Sequence, residues 1–443
     1  MMRTLVFMLA LCATAAQAVD GDIDPSFGTA GYIVQAPTDA SLAPYGMTIQ
    51  EDGRIVVTGA RWAFNEAPEV QNQVAVWRFL ADGKPDPAFG TDGLTGIALG
   101  ADIHPLPLAV LVQASGGMLV AGNLGGFGIL RLQADGTIDT GFGQDGLALV
   151  QCPGASLVSS AAHALALDSQ GRILAAGGGA ITGTRTLGLI ARLLADGALD
   201  VTFGNGGCVQ LVPASGNDSA SSWLRGVVVD EAGRVLVAGH GNADGTRGFF
   251  AVRLEPSGRL DASFGDAGKV FVASALTTNL IASNSVLIHG RWLLGGVCDA
   301  LSSSASACLL ALDANGMPDP AFGTQGWALA PLGGFGHTFS SLACQSDGKC
   351  LQLASARPDS QSHRQYVVTR FGTGGIPDPG FGVSGQVHID VPSGGDGNSI
   401  VARAITLQGG KPIAAGMTGG AATYGGLFAT RLQADLIFAD AFD

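Results

Sequence analysis

An eight-residue phrase, D-x-x-F-G-x-x-G, recurs seven times in this 443-residue chain, with its phenylalanine at Phe27, Phe89, Phe142, Phe203, Phe264, Phe322 and Phe381. The copies stand 53 to 62 residues apart. A period of that length and regularity marks one supersecondary unit duplicated in tandem, and such a unit cannot bury its apolar faces alone. Any fold open to this chain must therefore stack seven like units.

Three further signals follow one another between successive phrases. A first alternating or apolar run, such as Ala162–Leu167 or Gly226–Val229, leads through a tight turn into a second, as in Gly171-Arg172-Ile173-Leu174 or Gly233-Arg234-Val235-Leu236. Two β-rich runs joined by a glycine turn make a hairpin. A third run ends in Arg-Leu or a close variant at Arg78, Arg131, Arg192, Arg253, Arg370 and Arg431, and the unit before Phe322 departs by carrying Ala311. Asp-Gly or an equivalent, the phrase itself and a fourth run such as Leu147–Val150 complete the unit. No stretch shows a capped apolar period of 3.6, so almost no helix is expected. The 68 glycines and a charged fraction of only 13% suit a turn-rich β protein, and the 47% hydrophobic content excludes a disordered chain.

Seven four-stranded antiparallel units describe an all-β, seven-bladed β-propeller, because each blade has two apolar faces to bury and ring closure leaves only short edges. An open β-solenoid is the runner-up, disfavoured because solenoid coils are shorter and need capping repeats. The ends of the chain point to closure. The N-terminal side begins inside a phrase and supplies a fourth strand, Tyr32-Ile33-Val34, while the last unit stops after its third strand, Leu427 to Leu432. Pairing the two would lock the ring, with the propeller spanning residues 19–435.

In this wording, as in Asp86-Pro87-Ala88-Phe89-Gly90-Thr91-Asp92-Gly93, the chain resembles the delta-60-repeat β-propeller family. The resemblance covers nearly all of residues 19–435. It implies the propeller fold and an extracytoplasmic, bacterial setting, and it transfers no catalytic residues.

Arg3, the apolar run Leu5–Ala15 and Ala16-Gln17-Ala18 read as a secretory signal over residues 1–18. No later apolar run is long enough to span a bilayer, so a secreted or periplasmic protein without a transmembrane segment is expected, and a monomer. Six cysteines follow the signal, an even set suited to an oxidising compartment. Proximity favours Cys298 with Cys308 and Cys344 with Cys350, leaving Cys152 with Cys208; no metal-binding Cys or His spacing is present. The formal charge of −13 argues against nucleic acid or an anionic membrane as partner. Residues 436–443, Leu-Ile-Phe-Ala-Asp-Ala-Phe-Asp, abandon the repeat and form an acidic, aromatic tail.

The repeated acids Asp24, Asp86, Asp139, Asp200, Asp261, Asp319 and Asp378 are expected to accept backbone N–H bonds in the turn before the phenylalanine. Calcium is the competing reading, but each unit offers too few acids for a cation loop. The phenylalanine is read as a plug between blades, the following glycine as a positive-φ position, and the arginine as a tie between blade edges.

Strand order assigns function to a face. The turns between strands one and two and between three and four share one end of the ring and are constant. The connections from two to three and from four into the next blade share the other end and vary. Candidate binding residues there are Trp62, Phe64, His240, Asn242, Asp244, Arg247, Arg357, His363 and Arg364, with His104, Trp223 and His337 in or near the inter-blade segments. No H-E-x-x-H, nucleophile elbow or P-loop is present. The preferred reading is a noncatalytic module binding a glycan, peptide or protein through the variable face. The alternatives are a hydrolase or lyase at the channel mouth, which would need acids or histidines converging on the first strands, and a structural surface or adhesion component.

Overall fold

The computed structural model describes residues 20–37, 40–63, 72–154, 157–181, 186–212, 221–243, 245–273, 279–300, 302–357, 362–391, 400–418 and 425–434, with the side chains of 63 and 335–340 excepted. Residues 1–18, the tail 436–443, Phe64, Asp244 and the side chain of His337 therefore lie outside the described residues.

Twenty-eight strands form seven four-stranded antiparallel sheets, and among the described residues there is no helix. Blades one to six occupy residues 40–98, 106–149, 157–211, 221–273, 280–331 and 335–389, each a meander of four strands in chain order. Blade seven takes three strands from residues 401–431 and its outer strand from Tyr32–Gln35. That strand pairs with Gly426–Arg431 in the register Tyr32↔Thr430 to Gln35↔Leu427. The ring is thus closed by joining the two ends of the repeat array, as the sequence requires, and no open solenoid edge is left.

Inner strands of neighbouring blades touch all the way round the ring. The apolar core is correspondingly divided into layers between blades. Phe27, Ile33 and Leu427 of blade seven pack with Leu42, Val57 and Trp77 of blade one, and the same arrangement recurs at the other interfaces. Alternating residues on both faces of each sheet are buried, which is why the strands read as nearly continuous apolar runs.

The repeated phrase builds a latch. All seven phenylalanines are at most 2% exposed. Each repeated Asp accepts an N–H two residues on through Oδ1, at 2.9 to 3.1 Å. Its Oδ2 receives the third-strand arginine, from Arg78, Arg131, Arg192, Arg253, Arg370 and Arg431, at 2.7 to 2.9 Å. The guanidinium lies over the phenylalanine ring, 4.5 Å from the centroid for Arg192 and Phe203. It also donates to a turn carbonyl of the following blade, as Arg253 does to Ala314 at 2.6 Å and Arg431 to Ala81 at 3.0 Å. Carboxylate, aromatic face and neighbouring blade are tied by one side chain. In the fifth blade, where Ala311 replaces the arginine, Arg291 from the adjacent strand reaches Asp319 at 2.7 Å, stacks on Phe322 and donates to the Thr373 carbonyl at 2.9 Å.

Three disulfides pair as proximity suggested, Cys298–Cys308, Cys344–Cys350 and Cys152–Cys208. The first two staple hairpins within blades five and six, and the third crosses from the outer edge of blade two to blade three.

Candidate functional site in the central channel

Each inner strand carries a β-bulge near its middle. The register breaks fall at Pro44/Gly46, Pro107/Ala109, Ala162/Ala164, Leu224/Gly226, Ala282/Ser285, Gly336/Ser340 and Ala402/Ala404. A bulge leaves the extra residue out of the ladder and re-aims its side chain. The residues so displaced are Tyr45, Leu108, His163, Arg225, Ser283 with Asn284, and Arg403, and all of them line one cavity of about 370 Å³ on the axis of the ring. The cavity continues along Met47, Val110, Leu165, Val227 and Ile405, which follow the bulges toward the end of the channel that carries the short turns. Gln408 fixes that end by donating to the carbonyls of both Gly53 and Ala81, one from each kind of constant turn.

Two guanidiniums dominate the electrostatics. Among the described residues, no Asp or Glu lines the cavity. Arg225 donates from Nη1 to Nδ1 of His163 at 2.8 Å. A guanidinium can only donate, so that imidazole nitrogen is an acceptor and the ring proton sits on Nε2. Burial, reinforced by the charge of Arg225, holds the His163 pKa well below the ordinary histidine value and keeps the ring neutral. Burial and the charge of Arg403 lower Arg225 to about 10, so it stays cationic at neutral pH. Arg403 lies over the Tyr45 ring at 4.6 Å from the centroid. Burial lowers its pKa, and Tyr45 and Tyr366 act in the opposite sense.

The remaining polar groups are small. Asn284 is committed to the neighbouring blade, donating to the Leu342 carbonyl at 2.8 Å and accepting its N–H at 2.7 Å. The hydroxyls of Ser283 and Ser285, 9% and 8% exposed, are buried without a hydrogen-bond partner among the described residues, as is Nε of Arg225.

The residues singled out from the sequence are distributed differently. Trp62 and Arg357 end strands in blades one and six, and His363 is an exposed residue of the loop that follows Arg357, close to the half-buried Arg364. His240, Asn242 and Arg247 belong to the two strands Val235–Ala243 and Thr246–Leu254, which run further than the sequence pattern suggests. His240 is consequently not a solvated loop residue. It is 6% exposed, stacks on Trp223 at 5.1 Å, and accepts the Ala282 N–H at 3.3 Å. Burial, with Arg225 and Arg247 adding, lowers its pKa to about 3. The candidates thus sit on three different blades and are not gathered into one site. The connections themselves do share a face: Asn72 meets His104 at 2.6 Å, and Arg247 donates to Asn279 at 2.9 Å.

Sequence reasoning missed Tyr45, Arg225 and Arg403 because the first strands read as small and apolar, and it placed His163 in strand packing. A signal was available. Tyr45-Gly46, Leu108-Ala109, His163-Ala164, Arg225-Gly226 and Arg403-Ala404 each set a bulky residue before a small one, in the same part of the unit. No group of three or more His, Cys, Asp or Glu able to hold a metal occurs among the described residues.

Four stretches of the chain, residues 50–89, 113–142, 169–203 and 233–264, match the model of a family described as a domain of unknown function (DUF5122) beta-propeller. No curated protein matches the sequence. Among solved structures, a catalytically inactive variant of virginiamycin B lyase from Staphylococcus aureus, crystallised with quinupristin, is similar with a TM-score of 0.50 at 11% identity, over 91% of this chain and 99% of that one. A protein of unknown function from Dyadobacter fermentans gives 0.49 at 10% identity, over 93% and 100%. Extracellular domains 1-2 of Drosophila semaphorin 1a give 0.47 at 9%, over 90% and 88%. At such identities the likeness concerns the fold alone. The matched stretches support a β-propeller repeat family of unknown function.

Proposed function

We propose that the chain is an exported binding module that receives its ligand in the central channel, at the ring of bulged residues. One observation carries this reading. Asp, Phe and the phrase glycines recur in every unit, whereas the bulged position changes from Tyr45 to Leu108, His163, Arg225 and Arg403 and delivers each of these side chains to one cavity. Repeated residues serve folding, and a position that varies between units while converging in space suits recognition. Three disulfides fit an oxidising compartment and so an exported protein. The phrase-level resemblance to the delta-60-repeat family points the same way.

The geometry favours binding over catalysis. His163 is the one imidazole lining the cavity among the described residues, and its acceptor nitrogen is taken by Arg225. Among the described lining residues no carboxylate is positioned to act as a base or nucleophile.

A thermal-shift screen of the full chain against small metabolites tests the proposal. Hits should vanish in Leu108→Trp, which fills the channel, and persist in Trp62→Ala and Arg247→Ala at the variable face. The opposite pattern would move the site to the variable loops.

A further inference from the structure

We infer that the ligand of the channel is a small organic oxyanion, a carboxylate or phosphate monoester, with its head group between Arg225 and Arg403 and an apolar body along Met47, Val110, Leu165, Val227 and Ile405. The inference rests on the channel reading above and gives it a chemical class.

Three observations converge on it. First, the cavity holds two guanidiniums and no carboxylate among its described lining residues. Like charges repel, and an anion seated between two guanidiniums is attracted by both. Arg225 contrasts with the latch arginines: its partner at 2.8 Å is the neutral imidazole of His163, whereas Arg78, Arg192, Arg253 and Arg370 each have an Asp within 2.9 Å. The chain carries a formal charge of −13 and acids are abundant, so their absence from the described channel lining is specific to the site.

Second, donors without partners face the same space. The hydroxyls of Ser283 and Ser285 and Nε of Arg225 are buried and unpaired among the described residues. Unsatisfied buried polar groups are uncommon in folded proteins and call for an explanation. An oxyanion offers several lone pairs and can accept from a guanidinium and hydroxyls together, in charge-assisted bonds about twice as strong as neutral ones. His163 adds a fourth donor, since Arg225 holds its Nδ1 and leaves the proton on Nε2.

Third, the lining is two-sided. Cationic and hydroxyl groups occupy the bulges, and aliphatic side chains occupy the next channel-facing positions. A bare inorganic anion would leave the aliphatic wall unused. A volume of about 370 Å³ admits a molecule of modest size and excludes a polymer threaded as a whole.

Calorimetric titration of the full chain with hexanoate, hexyl phosphate, inorganic phosphate, hexanol and hexylamine tests the inference. The two alkyl anions should bind, inorganic phosphate more weakly, and hexanol and hexylamine not at all. Arg225→Gln and Arg403→Gln should each weaken the alkyl anions by about tenfold or more, with partial recovery in Arg225→Lys and Arg403→Lys, and Leu108→Trp should abolish binding. Hexanol or hexylamine binding as well as hexanoate, and blocked by Leu108→Trp, would overturn the anion class and leave the channel site standing. Alkyl anions that bind equally to wild type, Leu108→Trp and both Arg→Gln variants would overturn the channel site as well. Failure of every probe to bind would overturn the anion class.

Discussion

At the scale of single residues, the molecule is governed by one latch used seven times. Asp24, Asp86, Asp200, Asp261, Asp319 and Asp378 are held ionised by their surroundings. Burial alone would raise Asp86, but the Ala88 N–H and the charge of Arg78 lower it on balance; for Asp319 the Ala321 N–H is the largest influence and Arg291 adds to it. The roles of Asp, Phe and Arg were legible in the sequence because they recur at fixed offsets. The glycine after the phenylalanine was legible for the same reason: Gly204 has φ +56°, and a Cβ there would fall on the Cys208 carbonyl. The substitution of Arg291 for the missing arginine at Ala311 was not legible, because it comes from another strand. A faint cue existed in Arg54, Arg172, Arg234, Lys349 and Lys411, which precede or open the second strand in other blades and reach the same carboxylates from outside. The consequence is testable. In blade five Arg291 is the one cation partner of Asp319 among the described residues, whereas in blade four Asp261 keeps Arg253 when Arg234 is lost. Arg291→Ala should cost about 2 to 4 kcal/mol in urea unfolding, leaving a carboxylate and a turn carbonyl unpaired, and Arg234→Ala under about 1 kcal/mol. Equal costs would contradict the substitution.

At the scale of elements, strand count, strand order and the two kinds of connection follow from the spacing of turns in the sequence. The inner-strand bulge does not, because a bulge changes register without changing composition, and a first run such as Leu157–Leu167 reads as continuous. The second and third strands of blade four run through His240 and Arg247, beyond the β-rich runs visible in the sequence, because their polar and glycine residues carry no strand signal. The bulge explains the small residue that follows it. A Cβ on Gly226 would stand 2.8 Å from the Ser285 backbone nitrogen and also crowd the Ser285 hydroxyl of the next inner strand. Gly226→Val should therefore destabilise by about 1 to 3 kcal/mol through overpacking at the channel wall. A neutral result in denaturant melts would show that the inner strands are not packed as tightly as described.

At the scale of the whole molecule, ring closure and pH response belong together. Asp20 and Asp24 sit where the N-terminal strand enters blade seven, Asp20 against Arg370 at 2.5 Å and Asp24 against Arg431 at 2.9 Å. Burial would raise Asp24, yet the Ser26 hydroxyl, Lys411, the Ser26 N–H and Arg431 together hold it far below the usual carboxylate value. A carboxylate whose folded pKa is depressed contributes stability that is present above its unfolded pKa, about 4, and is lost as pH falls through the folded value. The buried histidines add a second, higher step. His240 and His163 are kept neutral in the fold, so the unfolded chain binds protons more readily below its histidine pKa of about 6.5, and stability falls from there downward. The melting temperature should decline gently from about pH 6.5 and steeply below about pH 4. His240→Gln should flatten the upper step and leave the lower one; a single transition confined to the carboxylate range in both proteins would contradict buried neutral histidines.

The central claim is that the bulged residues form a ligand site for a small organic oxyanion, and a crystal structure of the full chain grown with hexanoate tests it most directly. The carboxylate is predicted to lie between Arg225 and Arg403 within hydrogen-bond reach of Ser283 or Ser285, with the alkyl chain toward Met47 and Ile405. An empty channel at saturating hexanoate, or a carboxylate held instead on the variable loop face, would contradict it.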